Sequence, residues 1–250
     1  MRWDESNSGR CRLPAMSSFD LEQTLRHKLL RMGVLLRLVC LFAVSVCGVL
    51  SLVAHAQDPD VVKAPYIEVG DCWTYAVKGF FRRGWIDSYR ECVTYIDTQK
   101  NLVICVATLR PTGEEVETAY TLTWGTIADV GGHVNKPPVE IRFPLRVAET
   151  YELTNEYYDT PNGESAAGRV TRKVTVVGWE DVTVPAGRFR ALRIETVGRW
   201  ESKPGGTGPV KTTFWYAPAA NRTVKSIFDS AGSGPPQHRE GDLLAIELKP

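Results

Sequence analysis

From Gln57 onward, apolar and polar residues alternate with a period of two, and Gly, Pro, Asn and Asp break the alternation at short intervals. Val116, Thr118, Tyr120, Leu122 and Trp124 fall on one face while Glu117, Ala119, Thr121 and Thr123 fall on the other, the pattern of a half-buried strand. The same pattern recurs over Cys72–Phe80, Trp85–Ile96, Asn101–Leu109, Tyr151–Tyr158, Arg169–Trp179, Arg188–Val197, Lys211–Ala217, Arg222–Phe228 and Leu243–Leu248. Helical spacing is nearly absent; only Leu145–Leu153 could be drawn either way. Short connections at Arg82-Arg83-Gly84, Pro111-Thr112-Gly113 and Pro185-Ala186-Gly187 favour antiparallel neighbours, whereas Gly125–Pro138, Glu201–Pro209 and Ser230–Glu240 are expected to be longer loops. Residues 57–250 are therefore predicted to form one all-β domain, a strongly curved antiparallel sheet or barrel-like meander, with a β-sandwich as the alternative. In Arg188–Val197 the apolar phase slips between Phe189 and the pair Leu192 and Ile194, which predicts a β-bulge near Ala191.

Ahead of this domain the chain has a different character. Arg37 precedes an uncharged stretch from Leu38 to Val53, and Ala54-His55-Ala56 supplies small residues at the two positions a signal peptidase reads. Residues 32–56 have the form of a secretory signal, with cleavage expected after Ala56. The apolar stretch falls short of the roughly 20 residues that span a bilayer, so no transmembrane anchor is expected after cleavage. Cys40 and Cys47 each follow a valine, where a lipidated cysteine would follow a small residue, and this favours a soluble periplasmic product over a lipid-anchored one. The polar segment 1–31 stands upstream of where a signal normally begins, so translation is expected to start at Met32 or at Met1 with a retained cytoplasmic tail.

Charge narrows the partners. The chain has 30 Lys and Arg against 29 Asp and Glu; removing the seven basic and four acidic residues before Gln57 leaves 23 against 25, a net charge of −2. Nucleic acid and anionic membrane surfaces both require a concentrated excess of Lys and Arg, and neither is expected as a partner. Three cysteines, Cys72, Cys92 and Cys105, follow the signal, so at most one intramolecular bridge can form. A two-residue turn that sets Asp97 opposite Lys100 would place Cys92 opposite Cys105 in a close, non-hydrogen-bonded pair, and a Cys92–Cys105 disulfide is predicted, with Cys72 free or pairing between chains.

Catalytic constellations are sparse. Only His133 and His238 follow the signal, both in Gly- and Pro-rich surroundings, and no H-E-x-x-H, G-x-S-x-G, C-x-x-C or phosphate-cradling glycine loop is present, so no metal and no cofactor is expected. Glu114-Glu115-Glu117 and Glu180-Asp181 could supply the paired carboxylates of a hydrolase, but both adjoin turns and fit solvated charges better. Asn221-Arg222-Thr223 is a formal glycosylation sequon. Aromatic residues are the more telling feature: Trp73, Trp85, Trp124, Trp179, Trp200 and Trp215 accompany Tyr75, Tyr120, Phe189, Phe214 and Tyr216. They can fill a β core and brace cross-strand pairs. Alternatively, a curved sheet can leave a cavity lined by Trp73, Tyr75, Tyr120, Trp124, Phe214 and Tyr216, suited to an acyl chain.

The order of several motifs carries a resemblance. Gly70-Asp71-Cys72-Trp73-Thr74-Tyr75, Phe143-Pro144-Leu145, Val182-Thr183-Val184-Pro185-Ala186-Gly187-Arg188-Phe189 and Thr213-Phe214-Trp215-Tyr216-Ala217-Pro218, with Val224-Lys225 and a closing strand over Glu240–Leu248, resemble a family of uncharacterised exported bacterial β proteins. The V-P-A-G-x-F turn and the W-Y-A-P hairpin are its most specific parts. Where that pattern continues with a glycine-containing turn, this chain has Ala219-Ala220-Asn221, and Asn221 is expected to take the left-handed conformation. The resemblance implies a periplasmic or envelope location and a curved sheet similar in outline to the lipoprotein-carrier fold; it implies no activity. Together these features predict a non-catalytic exported protein that binds a lipid or acyl chain in a curved sheet. The alternative is an envelope interaction protein with a fully packed core that docks a protein or cell-wall polymer.

Overall fold

The computed structural model describes residues 61–81, 84–158, 166–203, 205–232 and 235–249. The upstream segment, the signal, its cleavage site and the first residues expected of the exported domain lie outside the described residues. The described chain forms β1 (Val61–Val62), β2 (Cys72–Lys78), β3 (Phe80–Phe81), β4 (Gly84–Trp85), β5 (Ser88–Asp97), β6 (Leu102–Arg110), β7 (Glu115–Tyr120), β8 (Thr126–Ala128), β9 (Val134–Val139), β10 (Leu145–Arg146), β11 (Thr150–Tyr158), β12 (Ala166–Val184), β13 (Gly187–Ser202), β14 (Gly206–Ala217), β15 (Arg222–Ser230) and β16 (Gln237–Glu247).

Twelve strands close into one antiparallel barrel: β2, β5, β6, β7, β8, β9, β11, β12, β13, β14, β15 and β16 follow one another round the wall, and β16 returns to β2. Neighbours in the wall are nearly all neighbours in sequence, as the short connections predict. Outside the barrel, β1 pairs with β10 and β3 with β4. Gly125–Pro138, expected to be a loop, instead contains β8 and part of β9, which complete the closure. They do so with few pairs, Thr126↔Val139 and Ala128↔Val134, because Pro137 and Pro138 have no N–H to donate.

The longest ladder in the wall joins β12 and β13, paired from Gly168↔Ser202 to Val184↔Gly187. Their backbones approach so closely that a Cβ on Gly198 would lie 2.0 Å from the Thr171 carbonyl oxygen. The predicted bulge belongs to this hairpin but to the opposite strand: the register shifts between Val176 and Gly178 of β12, while β13 pairs with β14 without interruption. Placing the extra residue on β12 still lets Leu192 and Ile194 face the core and leaves Phe189 packed against it.

The strand predicted through Trp124 stops at Tyr120. Trp124 has φ 59°, and the Thr121–Gly125 turn folds its indole back under the barrel. At the other motif turn, Asn221 takes φ 52° after the short 3-10 turn Pro218–Ala220, the conformation its amide side chain tolerates best.

The Cys92–Cys105 prediction is corrected: the disulfide joins Cys72 to Cys92, and Cys105 is a free, buried thiol. The connection is a four-residue loop closed by Asp97↔Leu102, in which the Asp97 carboxylate accepts the Gln99 and Lys100 N–H groups. A further residue is extruded between Val93 and Tyr95, so Cys105 stands opposite Val93 and Cys92 opposite Val106. Cys105 shares the inward face with Val103 and Ala107, whereas Cys92 faces outward beside Cys72, its direct partner on β2.

Candidate functional site

The two ends of the barrel differ. One gathers the turns 97–102, 120–126, 184–187 and 217–222 together with residues 61–71, and we call it the packed end. The other gathers the connections 110–115, 128–134 and 202–206, and we call it the hollow end.

At the packed end, Trp73 is fully buried and its indole N–H donates to the Ala220 carbonyl at 2.8 Å. Trp124 Nε1 donates to the Asn221 carbonyl at 2.7 Å, and Tyr75 OH to the Thr223 carbonyl at 2.7 Å. These rings surround Arg222, whose guanidinium carbon lies 4.1 Å from the Trp124 ring centre, 4.8 Å from Trp73 and 4.9 Å from Tyr120. Arg222 Nη2 donates to Glu91 Oε2, and Glu91 Oε1 accepts Thr118 Oγ1–H at 2.5 Å and Tyr120 OH at 2.8 Å. The side chains of this pair are 9% and 0% exposed. Burial acts to lower the Arg222 pKa, but the charge of Glu91, aided by Tyr120, Tyr75 and Cys105, holds it well above its ordinary value, so the guanidinium stays charged. Burial also pushes the nearby Cys105 thiol up to about 12, which keeps it un-ionised and inert.

Above this floor the barrel is not filled. An inner chamber of about 350 Å³ is lined by Tyr75, Tyr89, Tyr120, Trp124, Phe214 and Tyr216, among others. It adjoins an outer chamber of about 450 Å³ at the hollow end, and Thr126, Val139, Phe228 and Arg239 line both. The outer chamber is more polar. Arg172 Nη2 donates to Asn155 Oδ1 at 2.9 Å, and Asn155 Nδ2 donates to Asn135 Oδ1 at 2.9 Å. Burial pushes the Arg172 guanidinium down to about 10.

Of the six aromatic residues singled out from the sequence, Tyr75, Tyr120, Trp124, Phe214 and Tyr216 lie on the inner chamber wall, while Trp73 lies beneath it in the core. The sequence reading passed over Glu91, Arg222, Arg172 and Asn155. The signal for them was present: Glu91 shares parity with Tyr89 and Val93, Arg222 with Val224, and Arg172 with Val170 and Val174. A charged residue in the core-facing phase of a strand requires an internal partner or a cavity.

The two carboxylate clusters stand apart from the chambers. Glu180 accepts hydrogen bonds from Arg193 at 2.7 Å and from Trp215 Nε1 at 2.8 Å, and Asp181 pairs with Arg188 at 2.9 Å. Glu115 and Glu117 are exposed on the outer face of β7. The sequon is built into the packed end, because Asn221 Nδ2 donates to the Tyr66 carbonyl and Arg222 is buried.

No protein family and no curated protein matches the chain in sequence. Among solved structures, a candidate lipoprotein of Parabacteroides distasonis aligns at 13% identity over 76% of this chain and 100% of its own, with a TM-score of 0.47. A candidate exported protein of Bacteroides fragilis with a YmcC-like fold aligns at 13% identity over 75% and 100%, with a TM-score of 0.46. The hypothetical lipoprotein YmcC of Escherichia coli aligns at 11% identity over 72% and 85%, with a TM-score of 0.39.

Proposed function

We propose that this is an exported, non-catalytic envelope protein that holds a hydrophobic ligand, a lipid or acyl chain, inside its barrel. The observation that carries the proposal is the unfilled, aromatic-lined lumen above the Arg222–Glu91 floor. Protein interiors close to crystal-like density wherever side chains can reach, so chambers of 350 and 450 Å³ meeting inside one barrel are unusual unless something occupies them. The inner chamber offers Tyr, Trp and Phe faces, which suit an apolar chain. An interaction protein with a fully packed core fits the packed end but leaves this space unexplained.

The Cys72–Cys92 disulfide supports an oxidising compartment, in keeping with the signal-like leader. Outward positions on β12 and β13 carry Arg169, Lys173, Glu195 and Arg199, which suit a barrel in water and not one whose outer wall faces lipid.

The test is to recover the exported chain from the periplasm and examine it by native mass spectrometry and by titration with the apolar fluorophore N-phenylnaphthylamine. The expected results are a co-purifying lipid adduct and saturable fluorescence enhancement that an acyl lipid reverses. A bare polypeptide mass under several gentle conditions, together with no fluorophore uptake, would refute the proposal.

A further inference from the structure

Three arginines line the barrel chambers, Arg222, Arg172 and Arg239, and the surroundings of the first two differ most. Arg222 is matched by a buried carboxylate and three aromatic rings. Arg172 meets the neutral amide oxygen of Asn155 and no described carboxylate; each guanidinium also keeps one buried nitrogen, Arg172 Nε and Arg222 Nη1, without a hydrogen-bond partner. Taking a guanidinium out of water without a counter-charge is unfavourable, and an unsatisfied donor adds to the cost. Among the described residues no carboxylate forms an ion pair with Arg172, and burial alone sets the direction of its shift.

The surrounding charges agree. The outer chamber is lined by two arginines, Arg172 and Arg239, against one carboxylate, Asp129. Asp129 exerts its pull on Arg239, which also stacks on Phe228 at 4.0 Å, so Asp129 is engaged on that side of the chamber. Asn155, 1% exposed, and Asn135, 8% exposed, hold the Arg172 guanidinium against the wall. The backbone beneath Arg172 is fixed by the close approach of Gly198.

We propose that the outer chamber is an anion subsite centred on Arg172, so that the ligand is an amphiphile whose single carboxylate or phosphate pairs with Arg172 while its apolar part fills the aromatic inner chamber. The inference rests on the lumen being a ligand site and adds what the ligand must carry. The polar group then sits toward the hollow end and the chain points at the Arg222–Glu91 floor. The Arg222 charge is matched by Glu91, whereas the Arg172 charge is not matched by any described carboxylate.

Competition against bound N-phenylnaphthylamine tests this on the whole exported chain. Oleate, phosphatidylglycerol and the uncharged oleyl alcohol are compared on wild type, Arg172→Gln, Arg172→Lys and Asn155→Asp, with the thermal midpoint of each variant recorded to establish folding. Wild type is expected to prefer at least one of the two anionic lipids over oleyl alcohol by about ten- to hundredfold, the range of a charge-assisted hydrogen bond. Arg172→Gln should abolish that preference and leave oleyl alcohol unchanged. Arg172→Lys should retain most of it, and Asn155→Asp, which supplies a carboxylate from within, should weaken it. Oleate acting alone assigns a carboxylate headgroup, and phosphatidylglycerol acting alone assigns a phosphate. Equal binding of charged and uncharged lipids by wild type, or an equal loss of both in Arg172→Gln, overturns the anion subsite and leaves the hydrophobic site standing. Absence of any lipid or fluorophore binding by wild type overturns both.

Discussion

The packed and hollow ends of the barrel are built from the same strands, yet each handles a buried arginine differently. At the packed end, Arg222 and Glu91 are buried together, and Glu91 also accepts hydrogen bonds from Thr118 and Tyr120. The motifs Gly70–Tyr75, Val182–Phe189 and Thr213–Pro218 converge there: Gly70 N–H donates to the Val93 carbonyl, Ala186 N–H to the Leu243 carbonyl, and Asp71 Oδ1 accepts Lys249 N–H. At the hollow end, Arg172 contacts amides and open volume. The contrast separates an arginine paired with a buried carboxylate from one that meets only amides among the described residues.

The largest expected effect breaks this contrast at Glu91. Glu91→Ala leaves Arg222 charged, buried and unpaired, and should lower the unfolding free energy by about 3–5 kcal/mol. Arg172→Gln removes a charge with no counter-charge among the described residues and should change stability by less than about 1 kcal/mol. Urea denaturation of the two variants side by side checks the difference; equal losses would show that the two arginines play the same part.

Next in size is the covalent tie near the packed end. The disulfide joins cysteines 20 residues apart, and the chain-entropy estimate for such a loop is about 3 kcal/mol. Replacing Cys72 and Cys92 together by Ser should cost about that much in a denaturant titration. Iodoacetamide should label Cys105 only after unfolding, since its thiol is buried and its pKa is pushed up to about 12.

These residues also show which parts of the molecule were legible in sequence. Alternation located most of the wall strands because one face of each had to be apolar, and turn chemistry placed the left-handed conformation at Asn221. The Cys92–Cys105 pairing failed because register depends on loop length: two additional loop residues and one extruded residue moved each cysteine to a different partner and face. β8 and β9 were hidden by their own composition, since Pro137 and Pro138 signal a loop locally and only barrel closure draws them into the wall. The aromatic lining was visible as a set of rings, but Trp73 could not be separated from Trp124, because which ring lies under the floor depends on the turn at Thr121–Gly125. The polar members of the site, Glu91, Arg172 and Arg222, were written in the parity of their strands.

A smaller effect distinguishes the ends by volume. Val224→Phe inserts bulk among fully buried neighbours and should cost about 1–3 kcal/mol. Val139, which lines both chambers, has space beside it. Val139→Trp should leave stability unchanged or raise it by about 1 kcal/mol, as filling a cavity does, while weakening N-phenylnaphthylamine binding by at least about tenfold. Thermal melts and fluorophore titrations of the pair separate the two outcomes; a large loss of stability in Val139→Trp would mean that the hollow end is as tightly packed as the other.

The smallest effect lies on the outer surface, where ionisation is coupled to water. His238 Nδ1 lies 2.7 Å from Asp229 Oδ1 and Nε2 lies 3.2 Å from Glu240 Oε1. Hydrogen bonds to Asp229 and then Glu240 raise the His238 pKa above its ordinary 6.5, and the reciprocal bonds from His238 and Lys78 lower that of Glu240. The folded protein therefore holds the imidazolium proton more tightly than the unfolded chain does. That contribution is fully present below pH about 6.5 and is lost as pH rises through the folded value. The Glu240 contribution has the opposite sense: it is present above the ordinary carboxylate range and is lost as pH falls through the lowered value. All three groups are solvent-exposed, so the change in stability is small and salt should reduce it further. An NMR titration of the His238 ring is expected to give a midpoint above 6.5 that moves down in Asp229→Asn, with oleate binding to the lumen unaffected; a midpoint at or below 6.5 would show that the surface pair does not persist in solution.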